Sequence, residues 1–359
     1  MNILFISRAY PPVIGGIEKQ NFEIGKALAE TTRTDIIANT RGKRLLPLFL
    51  PYALLRALFS IRKYDAVLLG DGVLGILGYL LKLLSAKPVA CIVHGLDLTY
   101  KNALYQKLWI NVFLPRMDRL IAVGNETIRK GVMLGIPETK FIHIPNGMAT
   151  IDPLPEHSRQ DLEAFIGKSI RGGVLLTLGR LVKRKGVAWF IEHVVSQLDE
   201  SIIYIVAGEG DQRSDILETI QKFSLEDRVF CLGRISEEEK QILFSTTDLF
   251  IQPNIIVDGD MEGFGLVVLE AASYGRVVIA SDLEGLKDAI QDGQNGFLIT
   301  PYDAEGYKKK IDSVLSDPAE CKAFGQIARD YVLKNNSWGL IAERYLEVLA
   351  TATNHVNKS

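Results

Sequence analysis

Cysteine is scarce in this chain of 359 residues, and its three copies are scattered. Cys91, Cys231 and Cys321 form neither a disulfide framework nor the spacing of a zinc site, which favours a reducing compartment. The opening stretch, MNILFIS, lacks the basic segment and the cleavage site of a secretory signal. We therefore expect a cytoplasmic protein.

A large excess of charge of one sign is also absent. The formal net charge is −2 and the sequence pI is about 6.3, which argues against nucleic acid as a partner. The most apolar stretch, 66–86, is interrupted by Asp71 and Lys82, whereas a membrane-spanning helix needs about 20 unbroken apolar residues. We expect this stretch to form a strand, a loop and a buried helix.

The chain does contain a regular alternation of short apolar runs and longer helical patterns, with 47% hydrophobic residues. This alternation is typical of βαβ units, in which helices cover both faces of a parallel sheet. Strands are predicted at 2–7, 34–39, 66–69, 89–94, 119–123, 141–145, 174–178, 202–207, 228–232, 249–253, 277–280 and 296–299. Helices are predicted near 16–31, 75–85, 125–134, 186–198, 212–223, 236–246, 264–274, 284–292 and 303–316. The predicted fold class is α/β, with two doubly wound domains.

A chain of this length suits two domains, and residues 148–172 interrupt the alternation with prolines and scattered polar residues. We interpret that segment as a linker with a short helix. The predicted domains are 1–165 and 166–335, and a C-terminal helix within 336–359 is expected to return to the first domain. Because open α/β sheets bind ligands at the carboxyl ends of their strands, we expect both sheets to face one cleft.

Two loops between a strand and a helix carry residues that suit an anionic ligand. In SRAYPPVIGGIEK, Gly15 and Gly16 open a helix, where glycine allows close approach and free N–H groups attract an anion; an ordinary turn is the alternative. No G-x-G-x-x-G fingerprint follows this strand, which disfavours a dehydrogenase. In TLGRLVKRKGV, Arg180 and the cations of Lys183–Lys185 lie beside a helix start. Cations oppose the helix dipole there, so a diphosphate is a natural counterion, and a solvated charge run is the alternative.

The stretch MEGFGLVVLE contains two glutamates eight residues apart, Glu262 and Glu270. The spacing is uninformative, since two other pairs of glutamates in the chain share it. Glu262 lies in a predicted loop, whereas Glu270 falls among apolar helix residues, where an unpaired charge is costly to bury. We expect Glu270 to need a partner, such as two hydroxyl groups of a ligand. His94 closes a predicted strand and is either a satisfied histidine or a polar group of the cleft.

Taken in order along the chain, these motifs resemble those of a known enzyme group. They are a Gly-Gly loop, H-G at 94–95, P-N-G at 145–147, G-R-L-x-x-x-K-G at 179–186, G-x-G at 208–210 and E-x7-E at 262–270. The order resembles that of retaining glycosyltransferases of the GT-B fold. More narrowly, it is similar to the large group of mannosyl-, glucosyl- and N-acetylglucosaminyl-transferases called family four, or glycosyl transferases group 1. The resemblance covers nearly the whole chain and is most specific over 174–300.

This resemblance implies a nucleoside-diphosphate sugar as the donor, either GDP-mannose or a UDP-sugar. Arg180 and Lys185 would bind the diphosphate, and Glu262 would contact hydroxyl groups of the transferred sugar. Glu270 would bind the ribose, and the main chain near Arg234 would meet the base. The other residues implied are Gly16 near the phosphates, His94 beside the sugar, the backbone of Phe264, Gly265 and Leu266 over the phosphates, and Gly15, Gly208 and Gly263 elsewhere in the donor site.

The resemblance also implies a reaction without a metal or another cofactor, in which two cations and a helix N-terminus take the place of Mg²⁺. Catalytic roles fall to Glu262, Arg180, Lys185 and His94. Retention in this group is attributed to a front-face mechanism, in which the leaving phosphate oxygen accepts the proton of the acceptor, so Glu262 is not expected to be a nucleophile. The chain departs from the group in reading SDLEGLKD where S-x-x-G-G-x-x-E is usual. Its acidic loop, DGDME, is expected to repel a charged donor sugar such as a uronic acid.

The segment 41–63 combines cations with leucines and phenylalanines. Its cations are Arg41, Lys43, Arg44, Arg56, Arg62 and Lys63. A basic, apolar helix of this kind can lie on an anionic membrane surface, and a core helix with a basic outer face is the alternative. The first interpretation predicts a glycan or lipid-linked acceptor and a peripheral position on the inner face of the cell membrane.

Other functions stay open at this level. A nucleotide-sugar 2-epimerase or a phosphorylase of the same architecture, or a non-catalytic nucleotide-sugar-binding protein, would share the donor motifs. An epimerase needs no acceptor, and a phosphorylase would carry a pyridoxal-phosphate lysine, for which no motif is seen. The sequence leaves open the base, the sugar, the acceptor, the linkage and the oligomeric state.

Overall fold

The computed structural model describes residues 1–13, 15–149 and 153–356, the last three without their side chains. It divides the chain into two compact units. The N-terminal unit consists of Met1–Ala149 and Asn336–Ser359, and the C-terminal unit is Thr150–Asn335. Residues 150–152 of the predicted linker and 357–359 of the predicted C-terminal segment lie outside the described residues.

The N-terminal unit contains a sheet of six parallel strands. The strands are β1 Asn2–Ser7, β2 Arg33–Ala38, β3 Ala66–Leu69, β4 Val89–Val93, β5 Arg119–Ala122 and β6 Phe141–His143. They lie in the order β2-β1-β3-β4-β5-β6. The strands predicted for this part of the chain are confirmed, with ends that differ by at most two residues.

The C-terminal unit contains a second sheet of six parallel strands. The strands are β7 Val174–Leu178, β8 Ile203–Ala207, β9 Val229–Gly233, β10 Leu249–Gln252, β11 Val277–Ser281 and β12 Phe297–Ile299. Their order is β12-β11-β10-β7-β8-β9. The predicted strands are confirmed here to within one residue at each end, and with them the α/β fold class.

Helices alternate with these strands as the sequence predicts. In the N-terminal unit they are α1 Gly16–Thr31, α2 Leu46–Ser60, α3 Gly75–Leu84, α4 Leu96–Thr99, α5 Ala103–Tyr105 and α6 Asn125–Met133. In the C-terminal unit they are α7 Arg159–Ile166, α8 Val187–His193, α9 Arg213–Lys222, α10 Glu237–Thr246, α11 Leu266–Ser273, α12 Leu286–Ala289, α13 Ala304–Leu315 and α14 Pro318–Asn335. The last helix, α15 Trp338–Val356, belongs to the N-terminal unit. The helix predicted at 284–292 is shorter than expected, because only α12 forms there.

Continuous apolar runs explain why the central strands sit where they do. All five residues of β4, of β8 and of β11 are buried, and so are five of the six in β1. A strand with one face in water would alternate apolar and polar residues instead. The pattern therefore places these strands in the middle of a parallel sheet, where both faces are packed.

The strand order reverses direction once in each sheet. In the N-terminal unit, β2 lies on one side of β1 and β3 on the other; in the C-terminal unit, β8 and β10 flank β7 in the same way. At such a switch point the connections leave the two adjacent strands toward opposite faces, which opens a crevice beyond their carboxyl ends. The loops after β1 and β3, and those after β7 and β10, are therefore the places for a ligand in each unit.

The boundary between the units differs from the one predicted at 165. Helix α7 packs against α10, and Arg159 at its start forms an ion pair with Asp248, N–O 3.1 Å, in the C-terminal unit. The helix predicted inside the linker is thus part of the second unit, and the division falls at Ala149. The sequence could not show this, because the partner Asp248 is 89 positions away.

Helix α15 packs against α1 in the N-terminal unit, and Tyr345 on it is only 1% exposed. We expect Tyr345→Ala to lower the free energy of unfolding by about 3–5 kcal/mol, as for other large aromatic truncations in a core. Leu340→Ala on the same helix is the control, since Leu340 is 37% exposed, and it should change stability by no more than about 0.5 kcal/mol. Urea unfolding of the two variants measures this, and equal midpoints would contradict the packing of α15.

Candidate functional site

The loops that flank the switch point of the C-terminal unit bring two predicted residues into contact. Lys185 lies in a 3-10 turn, Lys183–Lys185, after β7, and Glu262 lies in the loop after β10. Lys185 Nζ is 2.6 Å from Glu262 Oε2, and both residues are buried. Arg180, by contrast, is exposed at the end of β7. The structure therefore pairs two of the four predicted catalytic residues directly.

Gly186 allows this turn to lie against the β10 loop. Its backbone has φ +65°, and a Cβ there would be 2.0 Å from the carbonyl oxygen of Pro253. The N–H of Ile255 also donates to the carbonyl of Arg184 at 2.8 Å. Any residue larger than glycine at position 186 would push these loops apart. The packing of the two loops therefore explains why the motif ends in glycine.

Arg184 is not among the site residues predicted from the sequence, yet it faces the same carboxylates. It is 6% exposed, with Nη1 3.2 Å from Asp260 Oδ2 and Nη2 3.7 Å from Glu262 Oε2. The run Lys183–Lys185 is the only signal for it in the sequence, and the run does not tell which cation turns inward. The acidic loop is therefore partly neutralised by Arg184 and Lys185.

The carboxylate of Glu262 is held in its ionised form. Burial by itself would raise its pKa, but Lys185 and Arg184 outweigh that effect and bring the pKa below the ordinary value. Asn254 Nδ2 also donates to Glu262 Oε2, at 3.4 Å. Burial lowers the pKa of Lys185, and the charge of Glu262 opposes that shift.

Glu284 supports this loop from the segment in which the chain departs from the family pattern. Its Oε2 accepts the backbone N–H of Glu262 at 2.7 Å, and its own backbone has φ +50°. The N–H of Gly285 in turn donates to the carbonyl of Glu262 at 3.2 Å. Both sides of the Glu262 peptide are thus fixed by residues 284–285.

The predicted residues that follow Glu262 lie at the start of α11. Gly265 is the N-cap of that helix, and Leu266 is its first residue. Phe264 is buried, with 3% of its surface exposed, and Gly263 is partly buried. The first-turn N–H groups of α11 therefore begin directly after the loop that holds Glu262.

The loops after β8 and β9 approach the loop after β7. Gly208, with φ +137°, packs so closely that a Cβ there would be 1.8 Å from the carbonyl oxygen of Gly179. The backbone N–H of Arg234 donates to Glu209 Oε1 at 3.2 Å. The main chain at Gly208 and Arg234 is therefore fixed at the same sheet edge as Arg180.

Glu270 has the partner that its apolar neighbours predict, and that partner is a residue of the protein. Its Oε1 is 2.8 Å from Lys240 Nζ on α10, and the side chain is 13% exposed. Lys240 also forms an ion pair with Glu237. The apolar neighbours of Glu270 do indicate a paired charge, but the partner is a lysine 30 positions away, which the local sequence could not reveal.

In the N-terminal unit, His94 directly follows β4 and is 8% exposed. Its Nε2 is 3.0 Å from the carbonyl oxygen of Gly70, an acceptor only, so Nε2 carries the proton and donates. Its backbone N–H donates to Asp97 Oδ1 at 3.0 Å. The interpretation as a satisfied histidine therefore holds for Nε2 of the ring and for the backbone N–H.

An ion pair also lies at the switch point of the N-terminal unit. Arg8 Nε, after β1, is 2.7 Å from Asp71 Oδ2, after β3, and the Asp71 side chain is fully buried. Burial raises the pKa of Asp71, and the charge of Arg8 opposes that shift. Gly15 is the N-cap of α1, and Gly16, its first residue, has open space where a side chain would begin. Arg8 and Asp71 are not among the predicted residues, although Arg8 directly follows β1 and Asp71 lies two positions after the end of β3.

Within residues 1–13, 15–149 and 153–356, no group of three or more His, Cys, Asp or Glu side chains could hold a metal ion. In the C-terminal unit the predicted residues gather at the carboxyl edge of one sheet. That edge combines buried cations, an ionised carboxylate and a helix start, which can together bind a ligand with both a phosphate and hydroxyl groups.

Arg184 provides a test of this charge network. Arg184→Gln should lower the free energy of unfolding by about 1–3 kcal/mol, because the buried carboxylate of Glu262 and that of Asp260 lose a charged donor. Adding Asp260→Asn should recover part of the loss, since the two residues interact. Lys183→Gln is the control: Lys183 is exposed in the same turn and should change stability by no more than about 0.5 kcal/mol. Equal urea midpoints for the Arg184 and Lys183 variants would contradict the network.

Comparisons with known proteins agree with this arrangement. Residues 159–331 match the family described as Glycosyl transferases group 1, and residues 14–150 match Glycosyltransferase Family 4. An uncharacterized glycosyltransferase of Methanocaldococcus jannaschii is 23% identical over 98% of this chain and 98% of its own length. A GDP-mannose-dependent phosphatidylinositol monomannoside mannosyltransferase of Mycolicibacterium smegmatis is 25% identical over 77% of this chain and 74% of its own length. Several other curated relatives match over only 37–54% of their length.

A solved structure shows the same fold. The Anabaena protein HepE in complex with UDP-glucose is similar with a TM-score of 0.76 and 21% identity, over 98% of this chain and all of that chain. The two family matches together span most of the chain, and each falls on one of the two parallel sheets. The chain is therefore similar to glycosyltransferase families over most of its length, and its fold is that of the GT-B glycosyltransferases.

Proposed function

We propose that this protein is a retaining hexosyltransferase that moves a hexose from a nucleoside-diphosphate sugar to a glycan or lipid-linked acceptor, in cell-surface polysaccharide or glycolipid synthesis. The observation that carries the proposal is the contact of 2.6 Å between Lys185 Nζ and Glu262 Oε2 at the switch point of the C-terminal unit. A nucleoside-diphosphate sugar has phosphate groups next to the hydroxyl groups of the sugar. A cation and a carboxylate held side by side can bind these two neighbouring parts of the donor.

The cations are assigned to the diphosphate. Lys185 is buried and Arg180 is exposed at the end of the same strand, so one would bind the phosphates inside the site and the other from its rim. Negative charge develops on the leaving phosphate as the bond to the sugar breaks. Fixed cations in a site with little water stabilise that charge without reorganisation, which is why no metal or other cofactor is assigned.

Glu262 is assigned to the hydroxyl groups of the transferred sugar. Its lowered pKa keeps it ionised at neutral pH, so it accepts hydrogen bonds and has no proton to give. In the proposed step the anomeric carbon to phosphate bond breaks, and the acceptor oxygen bonds to the same face of that carbon. The acceptor proton passes to the leaving phosphate oxygen, so Glu262 acts neither as base nor as nucleophile. His94, which directly follows β4, is assigned to the sugar as well.

The nucleoside is assigned to the other end of the same edge. Glu270 would accept from the ribose hydroxyls while Lys240 balances its charge, and the main chain at Arg234 would meet the base. Gly208 and Gly263–Leu266 would line the phosphates, and Gly15 and Gly16 are assigned to the phosphates as well. Of the three similar proteins named above, one carries GDP-mannose in its name and another was crystallised with UDP-glucose, so both donors stay candidates.

A thermal-shift panel of GDP-, UDP- and ADP-sugars tests the donor assignment. A donor at about 100 times its dissociation constant should add about 2.7 kcal/mol, or about 5–10 °C in Tm for a unit of this size. Lys185→Ala should abolish that shift, whereas Lys183→Ala in the same turn should keep it. If no nucleotide sugar raises the Tm of the unaltered protein, the assignment of these residues to a donor site is wrong.

Turnover separates the transferase from its alternatives. With a lipid extract as acceptor, the protein should release nucleoside diphosphate and form a linkage of the donor's own anomeric configuration, seen by NMR. Arg180→Ala and Lys185→Ala should each lower the rate about 100-fold to 1000-fold. Conversion of the donor without an acceptor would instead identify an epimerase, and donor binding without turnover would identify a binding protein.

The acceptor side of the proposal is supported by the surface of α2. The segment Lys43–Lys63 is long and apolar enough to cross a membrane, with a mean hydropathy of 1.4, and only 22% of its most apolar 18-residue window is buried. One face packs into the core through Phe49, Ala53 and Ala57. The opposite face exposes Leu48, Tyr52, Leu55 and Phe59, of which Phe59 is 89% exposed. A helix packed on one side and apolar on the other suits lying along a membrane rather than crossing it.

The charges around this face select the kind of membrane. Residues 36–64 contain six cations and no aspartate or glutamate. Arg56 lies within α2, and the other five cations lie in the segments just before and just after this helix. Anionic lipid attracts such a surface by about 1 kcal/mol per cation. We therefore place the protein in the cytoplasm, peripherally bound to the inner face of the cell membrane, where a lipid-linked acceptor lies.

Sedimentation with vesicles of phosphatidylglycerol and phosphatidylcholine tests this contact. Arg56→Gln, Arg62→Gln and Lys63→Gln together should weaken binding about 100-fold, and Phe59→Ser should weaken it further. A control chain with Lys26→Gln, Lys107→Gln and Arg116→Gln removes three exposed cations of the same unit outside α2 and should bind normally. Unchanged binding after the α2 substitutions would exclude the proposed surface.

A further inference from the structure

A cavity of about 590 Å³ lies in the C-terminal unit, away from the residues assigned to the donor. Its walls include the residues that immediately precede β7, β10 and β11, which are Gly173, Asp248 and Arg276. The donor residues follow the same strands at their carboxyl ends. A strand of five residues is about 16 Å long, so the cavity and the donor residues occupy opposite edges of one sheet.

Positive charge dominates the lining of this cavity. Arg159, Arg171, Arg276 and Lys322 line it, and Asp248 is the one carboxylate among its lining residues. Asp248 Oδ2 is 3.1 Å from Arg159 Nη2 and also accepts the backbone N–H of Val174 at 2.7 Å. Asp248 is therefore the single carboxylate among several cations, and its Oδ2 already contacts Arg159 and the backbone N–H of Val174.

Two of the guanidinium groups are fixed in the wall. Arg276 donates to the carbonyls of Thr247, at 2.7 Å, and Tyr274, at 3.1 Å. Arg159 donates to the carbonyls of Thr246 and Gly172. Burial lowers the pKa of Arg276, and the charge of Asp248 opposes that shift. Planar guanidinium groups that are already held in place lose little conformational freedom when an anion binds, which favours anion binding in this cavity.

The remaining wall is apolar. Val314 and Leu315 at the end of α13, with Pro318 and Cys321 on α14, complete the lining. An inorganic ion would use only the cationic side of a space this large. A ligand with a phosphate group and a less polar body would use both sides.

We propose that this cavity is a second ligand site, which binds a small phosphate ester through Arg159, Arg171, Arg276 and Lys322. The site is separate from the donor site and does not depend on the proposed transferase activity. The competing explanation is that Arg159 and Arg276 only bind the carbonyls at the end of α10. Arg171 and Lys322 discriminate between the two, because both are exposed on the rim and can be changed without removing those bonds.

Alkylation of Cys321 by N-ethylmaleimide, followed by mass spectrometry of the full chain, reports on the site directly. Inorganic phosphate and glucose 6-phosphate are the probes, and sodium chloride at matched ionic strength and glucose are the controls. We expect saturable protection of Cys321 by at least one phosphate probe, with Cys231, which is outside the cavity, alkylated at an unchanged rate. Absence of protection by both probes, or equal protection by sodium chloride, would overturn the proposal.

Paired variants then locate the charge. Arg171→Gln with Lys322→Gln should raise the half-protecting concentration of the effective probe about tenfold or more, since each tenfold corresponds to about 1.4 kcal/mol. Lys309→Gln with Lys334→Gln removes two exposed cations of the same unit outside the cavity and should leave that concentration unchanged. Equal half-protecting concentrations in the two variants would assign the cations of the cavity a structural role only.

Discussion

The reversal of strand order between β7 and β10 is the constraint on which the donor side of this protein depends. Parallel strands present all their carboxyl ends at one edge, and the reversal makes the loops after β7 and β10 neighbours although some 70 residues separate them. Lys185 and Glu262 meet there at 2.6 Å. Without that neighbourhood, the buried lysine and the buried carboxylate would each lack compensation and would be costly to bury.

The N-terminal unit also has a buried ion pair at the point where its strand order reverses. Its strand order reverses between β1 and β3, and Arg8 and Asp71 form a buried ion pair at that point. In both units, then, a cation from the first strand's loop meets a carboxylate from the loop across the switch point. The two pairs arise from the same topology, since these are the loops that each crevice brings together.

Surface chemistry distinguishes the two units more than their topology does. Helix α2 buries one face in the core of the N-terminal unit and leaves large apolar side chains and cations on the other. The C-terminal unit instead gathers cations in concave places, around Lys185 at one sheet edge and around Arg276 at the other. A broad apolar surface suits a lipid bilayer, whereas confined cations suit small anions.

The sequence by itself determined the strands, most of the helices and the loops that carry the site, because apolar periodicity and glycine turns are local signals; it did not predict α4, α5 or α14. It could not decide pairings over long separations. Glu270 was expected to need a partner, and only the structure identifies Lys240 on α10 as one. Arg184 reads like Lys183, which is exposed, yet it turns inward to Asp260. The sequence also could not show that α7 belongs to the second unit, because Asp248, the ion-pair partner of Arg159, lies far along the chain. Only the tertiary structure decides such contacts, because strand order and the packing of helices on the sheet bring distant residues together.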